Sequence, residues 1–466
     1  MIGPVERTLL DAVIQDEHER QERMRRAWCA YHGDHAKSLD TRDGEHDDNV
    51  VMNLARLVAD AAVQALYGQE PDWTTGDDAQ DAAVEQWMRR RRTASGATSP
   101  FLLTLQKAAL NGAVTGHAWR KWSTAGMAAG EPPRLRVLDP ATVWAFWEED
   151  DHETVYAFKI EWSTISRAGK PVQRRQMIER ATDTSWSIRD EERAGDGSGK
   201  WKPLGPTLTW PYAWPPIAGT QNLACPNEYW GVADLECDAL ELQRAVNYSA
   251  SNLNRIVRLY AHPRDVGYGF TAGEIQTGPG RMLTLPDPKA RIETLPTASD
   301  LGGALDVFAR LREAMHATTR TPEVAVGKMD TTGALSGVAL SILYGPLVAK
   351  TEAKRLTYGP WVEDAVAEYL VIAGLASDVQ SVEVETTWPE IVPGDPLAEG
   401  QALLVDKQLG ASSATLLEKR GYDAATETEL RQDEDAAKVE AAQRAFDAGA
   451  TVDAATRQPG PQRPGA

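Results

Sequence analysis

The stretch Leu235-Glu-Cys-Asp-Ala-Leu-Glu-Leu-Gln-Arg-Ala-Val-Asn-Tyr-Ser-Ala-Ser-Asn-Leu-Asn-Arg-Ile-Val-Arg-Leu-Tyr260 decides the architecture. Leu235, Ala239, Leu242, Val246, Ser249, Leu253, Ile256 and Tyr260 recur at alternating steps of four and three, a heptad repeat. That spacing predicts one helix over residues 232 to 260, about 44 Å long at 1.5 Å per residue. Its apolar seam, carried by Leu235, Leu242, Val246, Leu253 and Ile256, needs a partner helix. Residues 300 to 317 supply one, with Leu301, Leu305, Phe308, Leu311 and Met315 in a second stripe. Between the two, residues 261 to 298 are rich in Pro and Gly, yet Val266, Ile275, Met282, Leu285 and Ile292 keep returning, which predicts a small, tightly turned β module.

Working outward, residues 5 to 31 read as a charged amphipathic helix ending near His32-Gly33. Residues 50 to 68 are apolar nearly all round: Leu54, Leu57, Val58, Ala61, Ala62, Ala65 and Leu66 leave only a thin polar line of Arg56, Asp60 and Gln64. This predicts a mostly buried helix of roughly four turns, capped by Asn53 and closed by a left-handed Gly68. A further helix is expected from Pro100 to Leu110, turning through Gly112 and Gly116 into a strand at residues 118 to 122. From there to residue 215, β-branched and aromatic residues cluster between turn residues, which reads as sheet with a hairpin tip at Asp196-Gly-Ser-Gly-Lys200. After a flexible loop at 324 to 337, a long helix is expected from Gly337 to about Leu375, interrupted and bent at Gly345-Pro346 and Gly359-Pro360. A strand at 382 to 388, helices over about 396 to 409, 412 to 419 and 425 to 448, and a disordered tail complete the chain.

At 466 residues the chain is long for one core, so several domains or one elongated subunit are expected. The balance of 49 Lys and Arg against 68 Asp and Glu, net −19, argues against tight non-specific wrapping of nucleic acid, which needs cations to release counterions. Three cysteines, Cys29, Cys225 and Cys237, have no metal-ligand spacing and fit a reducing compartment. With no signal pattern and no apolar run long enough to span a bilayer, the chain reads as soluble and made inside a cell, with no membrane partner.

No motif assembles a catalytic site. The Asp196–Lys200 run fails the phosphate-loop pattern at Ala194 and at Trp201, and Gly333-Ala-Leu-Ser-Gly337 places Ala334 where a nucleophile elbow wants glycine. His32, Asp34, His35 and His46 lie in a polar loop without the ordered element that fixes ligand geometry, so no metal and no cofactor is expected. The acidic runs 149 to 151 and 433 to 435 read as solvated surface. The chain reads as architectural rather than enzymatic.

The order of features resembles the portal proteins of tailed bacteriophages, of the siphovirus type found in actinobacterial phages. The residues that carry the resemblance are Tyr31-His-Gly33, Asn53-Leu-Ala-Arg-Leu-Val-Ala-Asp60 leading to Leu66-Tyr-Gly68, the helix–glycine–strand unit around Gly116, Tyr229-Trp-Gly-Val-Ala-Asp-Leu-Glu236 before Ala245-Val-Asn247, Ser336-Gly-Val-Ala-Leu340, and Trp388-Pro with Pro393-Gly-Asp395. The resemblance covers residues 5 to 445. It implies an α+β, mainly helical, elongated subunit. Residues 1 to 230 would form a wing, 231 to 260 and 299 to 317 a stem, 261 to 298 a clip and 318 to 335 a tunnel loop. Residues 336 to 376 would be a kinked wing helix, 377 to 450 a wing strand and crown, and 451 to 466 a tail.

The resemblance further implies a ring of about twelve copies at one capsid vertex, in the virion and assembled in the host cytoplasm. Double-stranded DNA would pass through it, and its partners would be the terminase large subunit, head-to-tail connector proteins, and the major capsid and scaffolding proteins. The tunnel loop would face DNA through Arg320, Lys328, Met329, Asp330, Thr331 and Thr332. The clip would meet partners through His262, Arg264, Tyr268, Phe270, Arg281 and Lys289. Residues 378 to 447 hold 16 acidic and 6 basic residues, which suits a conduit that must not hold its cargo tightly. The alternatives are a helical virion scaffold or adaptor that does not contact DNA, and a packaging ATPase, which the missing phosphate loop disfavours.

Overall fold

The structure is a computed structural model. It describes residues 4–41, 46–89, 100–123, 134–261, 265–269, 289–294, 301–327, 337–391 and 396–420, together with 422, 424, 426–432 and 434–440. The chain divides into two units, Met1–Val392 and Pro393–Ala466.

In the first unit, α1 (Pro4–His32) and α2 (Leu54–Tyr67) pack on one another and on α4 (Phe101–Thr115). Leu54, Ala55, Val58, Ala59, Ala62, Val63, Leu66 and Tyr67 are buried, as a helix with so narrow a polar line requires, although Leu57 lies on the outer face and is 42% exposed. The Asn53 side chain caps the Arg56 amide at 3.0 Å. Gly68 does not close α2 in the left-handed conformation: its φ is −71°. Glycine fits there for space instead, because a Cβ would lie 2.4 Å from the Gln64 carbonyl oxygen. The polar line of α2 does not simply face water, since Asp60 accepts from the Tyr31 hydroxyl of α1 at 2.9 Å.

A short strand β1 (Asp72–Thr74) and α3 (Asp78–Arg89) precede α4. Gly116, with φ 85°, ends α4 and turns the chain directly into β2 (His117–Ser123). A side chain there would strike the Gly231 carbonyl, so left-handed backbone and close approach both require glycine. β2 is the centre of a three-stranded antiparallel sheet with β3 (Arg134–Leu138) and β10 (Ile217–Gln221). A second antiparallel sheet orders β4 (Val143–Glu148), β5 (Asp151–Ile165), β6 (Pro171–Thr182), β7 (Ser185–Ala194) and β8 (Lys202–Pro203), and β9 (Leu208–Trp210) also pairs with β7. Residues 196 to 200 form the turn between β7 and β8, as expected of a hairpin tip. Trp119, Phe158, Ile178, Trp186, Trp210 and Ile217 form one continuous core with Tyr67, Trp87 and Phe101.

The heptad stretch forms α5 (Cys237–Ala261), which packs against α6 (Leu301–Thr318). Helix α5 begins five residues later than the spacing predicts. The amides of Asp234 and Leu235 bond the Ala113 carbonyl at the end of α4, so Leu235 is buried ahead of the helix, in the same apolar cluster as Ala239, Val246 and Met315. Val246 and Met315 are fully buried between the helices, while Leu242, Leu253, Ile256, Phe308 and Leu311 are half-buried and Leu305 is 54% exposed. Of the insert between the helices, β11 (Asp265–Tyr268) pairs antiparallel with β12 (Arg291–Thr294).

Helix α7 (Gly337–Ile372) runs unbroken through Pro346 and Pro360, against the expected interruptions. A helical proline frees the carbonyl four residues earlier, here those of Ile342 and Leu356. Those residues are 71% and 78% exposed, so the freed carbonyls lie on the wet face of the helix. After a 3-10 turn at Val379–Ser381, β13 (Glu385–Thr387) is shorter than the predicted strand and pairs with β1. The second unit holds α8 (Pro396–Gln408) and α9 (Ser413–Glu418), the latter capped by Ser412, with further helical residues at 426–432 and 434–440. The chain is an α+β protein.

Candidate functional site

The C-terminus of α6 turns sharply. The Arg320 amide bonds the Ala317 carbonyl and the Thr321 amide bonds the His316 carbonyl, the pair of bonds that closes a helix through a left-handed residue. That residue is Arg320, with φ 52°, where glycine is the usual occupant. Its side chain is exposed, whereas its neighbours Thr319 and Thr321 are buried. The His316 ring meets the Thr321 carbonyl at 2.8 Å, Arg312 pairs with Glu323 at 2.7 Å, and Tyr344 of α7 donates to the Val324 carbonyl. Of the residues expected to face DNA, the structure thus places Arg320. Lys328, Met329, Asp330, Thr331 and Thr332 lie outside the described residues.

Beneath this turn three segments meet in a buried charge cluster. Asp234, just before α5, lies between Lys350 and Lys354 of α7: Lys350 is 3.0 Å from one carboxylate oxygen and Lys354 bonds the other. Lys350 also donates to the Thr319 carbonyl at 2.7 Å and the Thr321 hydroxyl at 3.1 Å. The side chains of all three ions are at most 3% exposed. Burial pushes the Asp234 carboxyl up, but the two ammonium groups outweigh it and hold it below its ordinary value. Burial lowers Lys354, with Asp234 opposing. Sequence reading missed this cluster. Its one local signal is a pair of lysines four apart on the face that also carries Leu347 and Tyr358.

A second missed feature runs along α5. Gln243, Asn247 and Ser251 are buried at four-residue spacing and bond the backbone of residues 50 to 55, the approach to α2 and its first turn. Asn254 donates to the Asp48 carbonyl, and Arg255 and Arg258 hold the Asp48 carboxylate. Arg258 in particular keeps Asp48 at about 2. The apolar seam therefore accounts for one face of α5, and a polar stripe that reads backbone accounts for another.

At the far end of the helix pair, Tyr268 is 44% exposed and carries the Arg291 guanidinium 4.8 Å above its ring, and Lys289 is exposed nearby. His262, Arg264, Phe270 and Arg281 lie outside the described residues. The outward faces of α5 and α6 expose Tyr248, Val257, Leu305 and Val307, each more than half accessible. A cleft of about 1170 Å³ is lined by Arg20, Arg23, His117, Glu149, Asp151 and Trp230 among others. Burial holds His117 at about 3, so it is neutral there, and both of its ring nitrogens are without hydrogen bonds. Among the described residues no three His, Cys, Asp or Glu side chains converge as a metal site, and no helix is long and apolar enough to cross a membrane.

The fold so defined is an α+β chain whose long helix pair leads into a small β ladder. No protein-family model and no curated protein matches it in sequence. Among solved structures it is similar to a chain from the neck of an empty GTA particle computed with C6 symmetry, at 14% identity and a TM-score of 0.51, over 80% of this chain and 90% of that one. It also matches a chain from the neck of a native GTA particle computed with C12 symmetry, at 13% identity, TM-score 0.49, 79% of this chain and 89% of that one. A chain in the virion of the native gene transfer agent gives 14% identity, TM-score 0.47, 81% of this chain and 94% of that one. The fold assignment rests on the first.

Proposed function

We propose that this chain is a portal-type subunit in the neck of a phage-like particle, forming a ring of about twelve copies that conducts double-stranded DNA. The observation that carries this reading is the pair α5 and α6 with the β11–β12 ladder at its end, inside a fold shared with a neck chain over 80% of its length. That neighbour comes from a neck computed with C6 symmetry, with which a twelve-membered ring is compatible. The exposed Tyr248, Val257, Leu305 and Val307 support the ring, because apolar groups left bare on two packed helices are covered when copies stand side by side.

In this reading α5 and α6 are the stem, and residues 261 to 298 are the clip that docks the terminase and then head-to-tail connectors. Residues 318 to 335 are the tunnel loop, and the acidic C-terminal helices are the crown. The role is structural and not catalytic, and the protein resides in the virion. Electron microscopy of the purified protein tests it: rings of about twelve with an open centre are expected. A stable monomer or dimer at high concentration would overturn the proposal, and closed helical assemblies without a channel would favour a scaffold or adaptor.

A further inference from the structure

We infer that Lys350 is a positioning residue that fixes the Arg320 guanidinium toward the phosphate backbone of double-stranded DNA. The inference rests on the portal reading, in which the turn at the end of α6 faces the channel. Two ammonium groups share one carboxylate in the buried cluster, since Lys354 bonds one oxygen of Asp234 and Lys350 stands 3.0 Å from the other. The remaining oxygen partners of Lys350 come from the turn that closes α6: the Thr319 carbonyl at 2.7 Å and the Thr321 hydroxyl at 3.1 Å. A helix C-terminus carries partial negative charge, so this turn serves as the second anion of the cluster. If the turn moved away, a buried ammonium would be left competing with Lys354 for Asp234, which low-dielectric surroundings penalise strongly.

Arg320 stands between the two residues that Lys350 grips, in a left-handed conformation that an L side chain adopts at a cost. Glycine would relieve that cost. The arginine at this place therefore supplies its exposed side chain, and the anchored turn supplies its direction. Asp234 extends the anchor to the stem, because its amide bonds Ala113 and its residue leads straight into α5.

The test uses assembled rings and a short fluorescent DNA duplex, with affinity measured across a salt series. Arg320→Ala is expected to lower the slope of log affinity against log salt by about one. Lys350→Met is expected to lower it by the same amount, and the double variant by no more than either alone. Thr321→Val removes the hydroxyl without touching charge and serves if Lys350→Met does not assemble. A role in stability alone would lower the melting temperature and leave the slope intact. An unchanged slope in Lys350→Met beside a lowered one in Arg320→Ala overturns the inference while the DNA-facing reading stands. An unchanged slope in Arg320→Ala overturns the DNA-facing reading itself. Amide exchange at residues 319 to 321 reads the anchor separately: it is expected to quicken in Lys350→Met, and unchanged exchange overturns the positioning role.

Discussion

The Asn247 carboxamide oxygen accepts a hydrogen bond from the Met52 amide at 2.9 Å, so a helix side chain satisfies the backbone of a segment that belongs to no sheet. Gln243 does the same on both sides of it, donating to the Met52 carbonyl at 2.6 Å and accepting from the Ala55 amide at 2.9 Å. Gln243→Leu is expected to destabilise the first unit by about 1–3 kcal/mol, because the buried Ala55 amide loses its partner while little volume changes, and the Met52 carbonyl keeps the Leu54 amide at 2.9 Å. Urea unfolding of the variant checks it, and a loss under 1 kcal/mol would show that water replaces the amide.

The neighbouring anchor is pH-dependent. Asp48 sits at about 2, held down first by its hydrogen bonds to Arg258, against an ordinary value of 3.8. Its contribution is complete above the ordinary value and is lost as pH falls from near 4 toward 2. Asp48→Asn is therefore expected to flatten the acid limb of a stability-versus-pH curve in that window and to lower stability at neutral pH. A variant with an unchanged acid limb would assign acid sensitivity to other carboxylates.

Glu368 of α7 and Arg120 of β2 form an ion pair whose side chains are 7% and 2% exposed, with the Trp122 indole donating to the same carboxylate. Burial raises the Glu368 carboxyl and Arg120 opposes it. Arg120→Met leaves that carboxylate buried and unpaired, at an expected cost of about 3–5 kcal/mol. Adding Glu368→Leu is expected to recover part of the loss, with the Trp122 N–H left unsatisfied. Chemical denaturation of both variants decides this, and a double variant worse than the single one would mean that packing, not charge, dominates.

Val257 and Leu305 are each 54% exposed on α5 and α6. Glutamate at either position is expected to change the stability of the folded chain by no more than about 0.5 kcal/mol. The same changes are expected to shift sedimentation from ring to monomer if neighbouring stems cover these residues. Intact rings in both variants would place the subunit contacts elsewhere.

Helices α5, α6 and α2 were legible because periodicity, capping and burial act over a few residues. Asn53 caps α2 as its type and place predict, and the seam of α5 meets that of α6 at Val246 and Met315. The start of α5 was not legible. The heptad spacing continues back to Leu235, but the Ala113 carbonyl, far upstream in sequence, accepts from the amides of Asp234 and Leu235 and holds that segment on the end of α4. Both prolines in α7 pointed to breaks. Their outcome depends on which face is wet, and that is set by what packs on the opposite one.

The buried polar groups were the least visible. Gln243, Asn247 and Ser251 recur every four residues, and Lys350 and Lys354 do likewise, yet polar residues at helical spacing ordinarily mark the solvent side. Periods, caps and the order of elements follow from the sequence because each is a short-range preference. The inside or outside placement of a carboxamide or an ammonium follows only from the tertiary structure. Burying such a group is favourable only where partners wait: the Ser251 hydroxyl donates to the Asn247 carbonyl of its own helix, but the amide that donates to it is that of Val50, 201 residues away.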